Sequence, residues 1–273
     1  MLPAGDSVSS RVRSVVKAVL ALGAGRRRAE GATVLIYHRV GGGTADELDV
    51  PTDSFRGQLD LLDGHDVVGL DKALDRLDRG DVAPSVVLTF DDGFQDVYAN
   101  AWPLLRERQL PFTIYLASAY MGQTMRWEGS TARGQSGRGL SWPQLREMVA
   151  SGLCTVGNHT HTHVRPGELS VEELDAANAA VEEHLGRTPR HFTYPWGVVV
   201  SDMEPELRAR FRSASTGQLG RNLPQTDRMR LRRVPVRRTD PDSFFAAKLT
   251  GALWPERAYA AIVGAAKALG MGS

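Results

Sequence analysis

Short apolar runs and stretches of helical spacing alternate along this chain, and the alternation predicts its architecture. Val8, Val12, Val15, Val16, Val19 and Leu20 recur at helical spacing with Arg11, Arg13 and Lys17 between them, and Arg26, Arg27 and Arg28 follow. Residues 1–30 therefore read as a basic amphipathic helix, too short and interrupted to span a bilayer. Charges inside the stripe and the lack of a cleavage site before the arginines argue against a signal peptide. The helix either packs on the domain's own surface or attaches to a membrane surface through residues 8–28.

A β-rich run from Ala32 to Val40 comes next and ends in His38 and Arg39. Phe55, Leu59 and Leu62 mark a helix capped by Thr52 or Asp53, Val67 and Val68 a short strand, and Leu70 to Leu77 another helix. Strands are expected at 86–90, 111–116, 153–156, 192–195, 213–216 and 232–236. Helices are expected at 97–107, from the Ser141 cap to 149, from a Ser170–Glu173 capping box to Gly186, at 204–212, and through the Ala-rich tail. Met121 to Gly139 is Gly-rich, basic and without period, the pattern of a lid or binding loop or of a simply mobile segment. No break in composition divides residues 31–273, so they form one α/β domain with a largely parallel sheet. About seven strand–helix repeats favour a closed or distorted (β/α) barrel over an open doubly wound sheet.

Two strand ends carry the chemistry. Val86 to Phe90 stops at Asp91 and Asp92, and Gly93 turns the chain away. Adjacent carboxylates repel, so keeping both ionised calls for a cation or a basic group nearby. Leu153 to Val156 leads into Gly157-Asn158-His159-Thr160-His161-Thr162-His163. Fully extended, His159 and His163 would stand roughly 13 Å apart and could not share an ion. A helical turn would bring them to about 5–6 Å between Cβ atoms. Two imidazoles with Asp92 make a catalytic metal triad with open positions, which leaves Asp91 free to take a proton from the attacking water. Histidines in an exposed polar turn, or carboxylates in an ordinary Asp-Gly turn, would be the bland alternatives.

A net charge of +1 gives no argument for nucleic acid, and neither a dinucleotide fingerprint nor a phosphate-loop lysine is present. The single cysteine, Cys154, reads as a buried strand residue rather than a nucleophile.

The motifs Thr89-Phe90-Asp91-Asp92-Gly93, His159-Thr160-His161-Thr162-His163 and Phe192-Thr193-Tyr194-Pro195-Trp196-Gly197 resemble, in order, those of the polysaccharide deacetylases with a NodB homology domain, carbohydrate esterase family 4. The resemblance runs from about Val34 to about Leu249. It implies a distorted (β/α) barrel, a divalent metal (zinc first, cobalt or nickel as alternatives) and hydrolysis of N-acetyl groups on amino sugars of a glycan. Asp91 would be the general base, Asp92, His159 and His163 the metal ligands, and the backbone N–H of Trp196 a donor to the oxyanion. The family's third motif often has a base-bracing arginine where this chain has Thr193, so Arg39 or Arg233 is expected to supply that charge. Tyr194 is a further candidate to orient substrate or base. With no histidine after residue 191, His38 is expected to be the general acid, as in the circularly permuted branch that includes deacetylases of poly-N-acetylglucosamine. Metal-dependent hydrolysis of another small amide or of a natural-product N-acetyl sugar, and a catalytically dead carbohydrate-binding protein, are the competing readings. A cytoplasmic location, perhaps at the membrane face, is the expectation for the chain's place in the cell.

Overall fold

In the computed structural model, which describes residues 8–25, 29–132 and 137–268, seven parallel strands close a barrel. They are β1 (Ala32–Tyr37), β4 (Ser85–Phe90), β5 (Phe112–Leu116), β6 (Cys154–Asn158), β7 (His191–Thr193), β8 (Ser213–Leu219) and β9 (Leu231–Pro235), in that order around the wall, with β9 returning to β1. The two short strands β2 (Arg39–Val40) and β3 (Asp49–Val50) pair beside it. β4 is buried along its whole length, its two polar residues Ser85 and Thr89 included, and the Thr89 hydroxyl donates to the Leu35 carbonyl.

Around the barrel lie α2 (Thr52–Asp60), α3 (Leu70–Asp78), a π-turn (Val97–Ala101) running into α4 (Trp102–Glu107), α5 (Trp142–Ala150), α6 (Val171–Leu185) and α7 (Glu204–Arg210). Before the first strand comes α1 (Val8–Leu22), and after the last come α8 (Asp242–Leu249) and α9 (Trp254–Ala268). α1 packs against α8 and α9, and its Lys17 is fully buried. The Lys17 Nζ donates to Thr239 Oγ1 and to Asp240 Oδ1, each at 2.7 Å. Arg26, Arg27 and Arg28 fall outside the described residues.

Three local expectations are corrected. Val67 makes a single parallel bridge with Val86 and starts no strand. Pro51, not Thr52 or Asp53, precedes the first turn of α2, with no side-chain cap. Ser170 opens α6, but its capping box does not close. Glu173 turns instead to the histidine loop, where its carboxylate accepts the N–H groups of His161 and Thr162 at 2.8 Å and the Thr162 hydroxyl at 2.9 Å. The charge that would have capped the helix therefore holds the loop after β6.

Because all seven strands are parallel, their C-terminal ends share one rim, the place where a barrel of this kind builds sites. Packing under that rim is tight. A Cβ on Gly157 of β6 would lie 2.3 Å from the Tyr115 ring and 3.1 Å from the His191 carbonyl oxygen. Gly157→Ala is expected to cost about 1–3 kcal/mol through overpacking, seen as a lower urea midpoint.

Candidate active site

β1, β4, β6 and β7 deliver residues to this rim directly after their last positions: His38, Asp91–Asp92, His159 and the Tyr194–Trp196 turn. The backbone there is bent in an unusual way. Of five non-glycine residues with positive φ among those described, four are Asp92, Thr160, His163 and Trp196, at φ 72°, 66°, 54° and 62°. Left-handed backbone at such residues costs about 1–3 kcal/mol each and persists only where the surroundings impose it. His159 and His163 thus meet through left-handed kinks at Thr160 and His163, not through the helical turn expected from their spacing. Their ring centroids are 4.8 Å apart.

Asp92 Oδ1 lies 3.4 Å from His159 Nε2 and 3.5 Å from His163 Nε2. The three side chains are buried and offer donor atoms all within 4.8 Å of one another. His159 Nδ1 is 2.8 Å from the Thr193 carbonyl oxygen, which can only accept, so Nδ1 carries a proton and Nε2 is the ring nitrogen turned toward Asp92. Position 193, where the family often has arginine, serves here through its backbone. The His163 ring is held by stacking on Trp127, 4.4 Å away, with Trp196 against its edge at 5.5 Å. One carboxylate and two imidazoles in a buried pocket are the donor set of a divalent-metal site with open positions.

Charge at the site is balanced tightly. Burial pushes the Asp92 carboxyl up, but the His159 hydrogen bond and the His163 charge more than offset it and hold it below the usual carboxylate range. Burial likewise raises Asp91, and the Arg233 guanidinium overcomes it, so Asp91 also lies below its ordinary value. For His159 burial works against the proton, yet Asp92 and Asp91 win and raise it. His163 goes the other way: burial and the neighbouring His159 lower it to about 4.

Of the two arginines expected to brace the base, Arg233 reaches it. Alternation along β9 turns Arg233 into the barrel, where its Nη1 lies 2.7 Å from Asp91 Oδ1 and its Nε donates to the Thr216 carbonyl. Arg39 is just as buried but points elsewhere. It donates to Asp96 at 2.7 Å and to the Thr131 carbonyl at 2.9 Å, tying the long loop to β2. Burial pushes that Asp96 carboxyl up to about 6 in spite of Arg39. Tyr194 does not face the site either. It is buried against Phe192, and its hydroxyl has no partner among the described residues. Cys154 is buried in β6, and burial pushes its thiol well above its ordinary value.

A cavity of about 280 Å³ joins the chemistry: His38, Asp91, Asp92, His159, His163, Trp196 and Arg233 all line it. His38 is half-buried there, and its Nδ1 is a buried atom with no hydrogen-bond partner among the described residues. Leu48, Trp127 and the stretch Gly129 to Thr131 are also in its walls. The long loop, expected to be a lid, a binding loop or a mobile segment, lines the cavity, but nothing in its aperiodic sequence marked Trp127. A groove of about 950 Å³ continues outward along the same loop, with Trp127 and Ser130 common to both.

This chain is similar to known proteins in the same terms. The family model for polysaccharide deacetylase matches residues 78–209. The solved structure of IcaB from Ammonifex degensii is 31% identical, with a TM-score of 0.69 over 82% of this chain and 98% of that one. The chain belongs to the polysaccharide deacetylase family. This deacetylase is also 25% identical to the poly-β-1,6-N-acetyl-D-glucosamine N-deacetylase of Staphylococcus epidermidis, over 63% of this chain and 66% of that protein. The Staphylococcus aureus (strain N315) protein of the same name is 23% identical over 75% of this chain and 73% of its own length. A Streptococcus pyogenes deacetylase, PplD, solved with acetate, shares the fold at a TM-score of 0.67 and 19% identity. Three candidate residues of this deacetylase, His38, Arg39 and Arg233, lie outside the segment matched by the family model.

Proposed function

We propose that this deacetylase is a metal-dependent N-deacetylase that hydrolyses the acetamide of N-acetylglucosamine units in a β-1,6-linked polymer. The observation that carries the reading is Asp91 held by Arg233 beside the convergent Asp92, His159 and His163 at the floor of one cavity. The names of the relatives support the polymer, and so does the groove that continues from the cavity past Trp127.

Asp92 and the Nε2 atoms of His159 and His163 would hold the ion, zinc being the first choice for one carboxylate and two imidazoles. When bound, the ion supplies Lewis-acid charge to the acetyl carbonyl and makes water a better nucleophile. Asp91, kept as a carboxylate by Arg233, takes the proton of the attacking water. The backbone N–H of Trp196 donates to the carbonyl oxygen as negative charge develops on it. His38 gives a proton to the departing nitrogen, which otherwise leaves poorly, so acetate and a free amine result.

The test is acetate release from β-1,6-linked and β-1,4-linked N-acetylglucosamine oligomers after chelation and reloading with zinc, cobalt or nickel. Metal-restored release favouring the β-1,6 oligomer is the expected result, and no release from either with any metal would overturn the reading. The acid has its own signature. His38→Ala is expected to lose about a hundredfold on the acetamide but far less on 4-nitrophenyl acetate, whose leaving group needs no proton. Equal losses on both substrates would remove His38 from that role.

A further inference from the structure

The first helix of a domain normally turns its apolar stripe inward. α1 turns only part of it inward: Val16 and Leu20 pack against the Phe244–Tyr259 cluster, while Val12, Val15 and Val19 do not. Ser10, Ser14, Lys17 and Ala21 face the domain: Lys17 and Ser10 are buried, the Ser14 hydroxyl donates to the Thr239 carbonyl at 2.9 Å, and Ala21 packs on Phe244 and Tyr259. The Lys17 ammonium also sits over the Tyr259 ring at 4.5 Å. The opposite face carries Val12, Val15, Val19 and Leu22 at spacings of three, four and three, with 56, 63, 61 and 85% of their surfaces exposed. Docking through a buried lysine leaves a continuous apolar stripe in solvent.

The stripe ends at an exposed aromatic and a basic groove. Gly23, just past α1, lies so close to the Trp254 ring that a Cβ there would be 2.8 Å from it, and Trp254 is 44% exposed. Trp254 and Gly25 line a groove of about 630 Å³ together with Arg221, Arg232 and Arg257. Among the described residues no carboxylate lies within salt-bridge distance of these three arginines. Arg221 donates to the Glu30 and Gly31 carbonyls, but its Nη1 is buried with no hydrogen-bond partner. Arg26, Arg27 and Arg28 stand next in the sequence after Gly25.

We infer that this face docks on an anionic phospholipid surface, with the α1 stripe and Trp254 in the interface and the arginine groove on lipid phosphates. Charge selects the occupant. An apolar stripe alone would suit a second copy of the chain as well, whereas a stripe ending at guanidiniums that have no carboxylate within salt-bridge distance among the described residues suits a surface that is apolar beneath and bears phosphate above. Tryptophan, with an apolar body and one N–H, is suited to that boundary. The helix lies on the bilayer rather than crossing it, since no helix of the described residues is long and apolar enough to span a membrane.

Flotation of the full chain with lipid vesicles tests this. Wild type is expected to float with phosphatidylcholine vesicles containing about 30 mol % phosphatidylglycerol, and at least about tenfold less with phosphatidylcholine alone or in about 0.5 M salt. Val15→Ser/Val19→Ser/Leu22→Ser and Arg232→Gln/Arg257→Gln are each expected to reduce binding by about tenfold or more. Because all five side chains lie on the outer surface, circular dichroism melts and acetate release from a soluble oligomer should match wild type in both variants. Failure of wild type to float with the anionic vesicles overturns the inference, as does unchanged binding by the stripe variant. A dimer by light scattering that the stripe variant converts to monomer also overturns it, since a second copy then covers the face.

Discussion

Asp91→Asn is expected to lower kcat for acetate release by about 10²–10⁴-fold while the chain retains its metal, the loss typical of removing a positioned general base. The expectation follows from how the two neighbouring carboxylates are held. Asp92 faces both imidazoles, with Oδ1 at 3.4 and 3.5 Å from their Nε2 atoms. Asp91 is turned to Arg233 and lies outside the ligand cluster. An asparagine at position 91 keeps the shape and one oxygen but cannot take a proton. Metal content by elemental analysis, measured beside kcat, separates the roles. Loss of metal from Asp91→Asn with retention in His159→Ala would reverse the assignment of Asp91 and the ligands.

What was legible in the sequence was whatever rests on local pattern. The largely apolar, β-branched run of β4 read as a buried strand, and a strand end is where a parallel barrel exposes its chemistry, so Asp91 and Asp92 could be placed before the fold was known. The histidine loop was legible as a metal-binding candidate from its residue types alone. Its path was not, because left-handed backbone at Thr160 and His163 depends on surrounding hydrogen bonds such as those to Glu173. Ser170 and Glu173 have the correct spacing for a capping box, yet a loop distant from that pattern claimed the carboxylate. Arg39 and Arg233 could not be ranked for the same reason. Each is a buried arginine near a strand end, and only the closure of β9 onto β1 decides which guanidinium meets Asp91. Trp127 had no periodicity to announce it and entered the site through the loop's tertiary path.

That closure makes Arg233 the position where stability and chemistry should fall together. Arg233 and Asp91 are both nearly inaccessible, with side chains 1% and 3% exposed. Arg233→Met leaves a carboxylate buried without its principal partner and is expected to cost about 3–5 kcal/mol near neutral pH. In wild type the folded Asp91 lies below its unfolded value, so its ionisation adds stability above the unfolded pKa, and that stability is lost as pH falls through the folded value. Without Arg233, burial, the largest single influence on Asp91, is no longer overcome by its strongest opponent, and the carboxyl moves up. The gap between wild type and variant should therefore widen as pH rises above about 4 and shrink toward acid, where both folded forms hold Asp91 neutral. Urea unfolding at several pH values reads this directly, and a gap that is constant with pH would mean that Arg233 acts by packing alone. Adding Asp91→Asn to Arg233→Met should recover part of the lost stability, because a neutral amide is cheaper to bury than an unpaired carboxylate, and it should recover none of the activity.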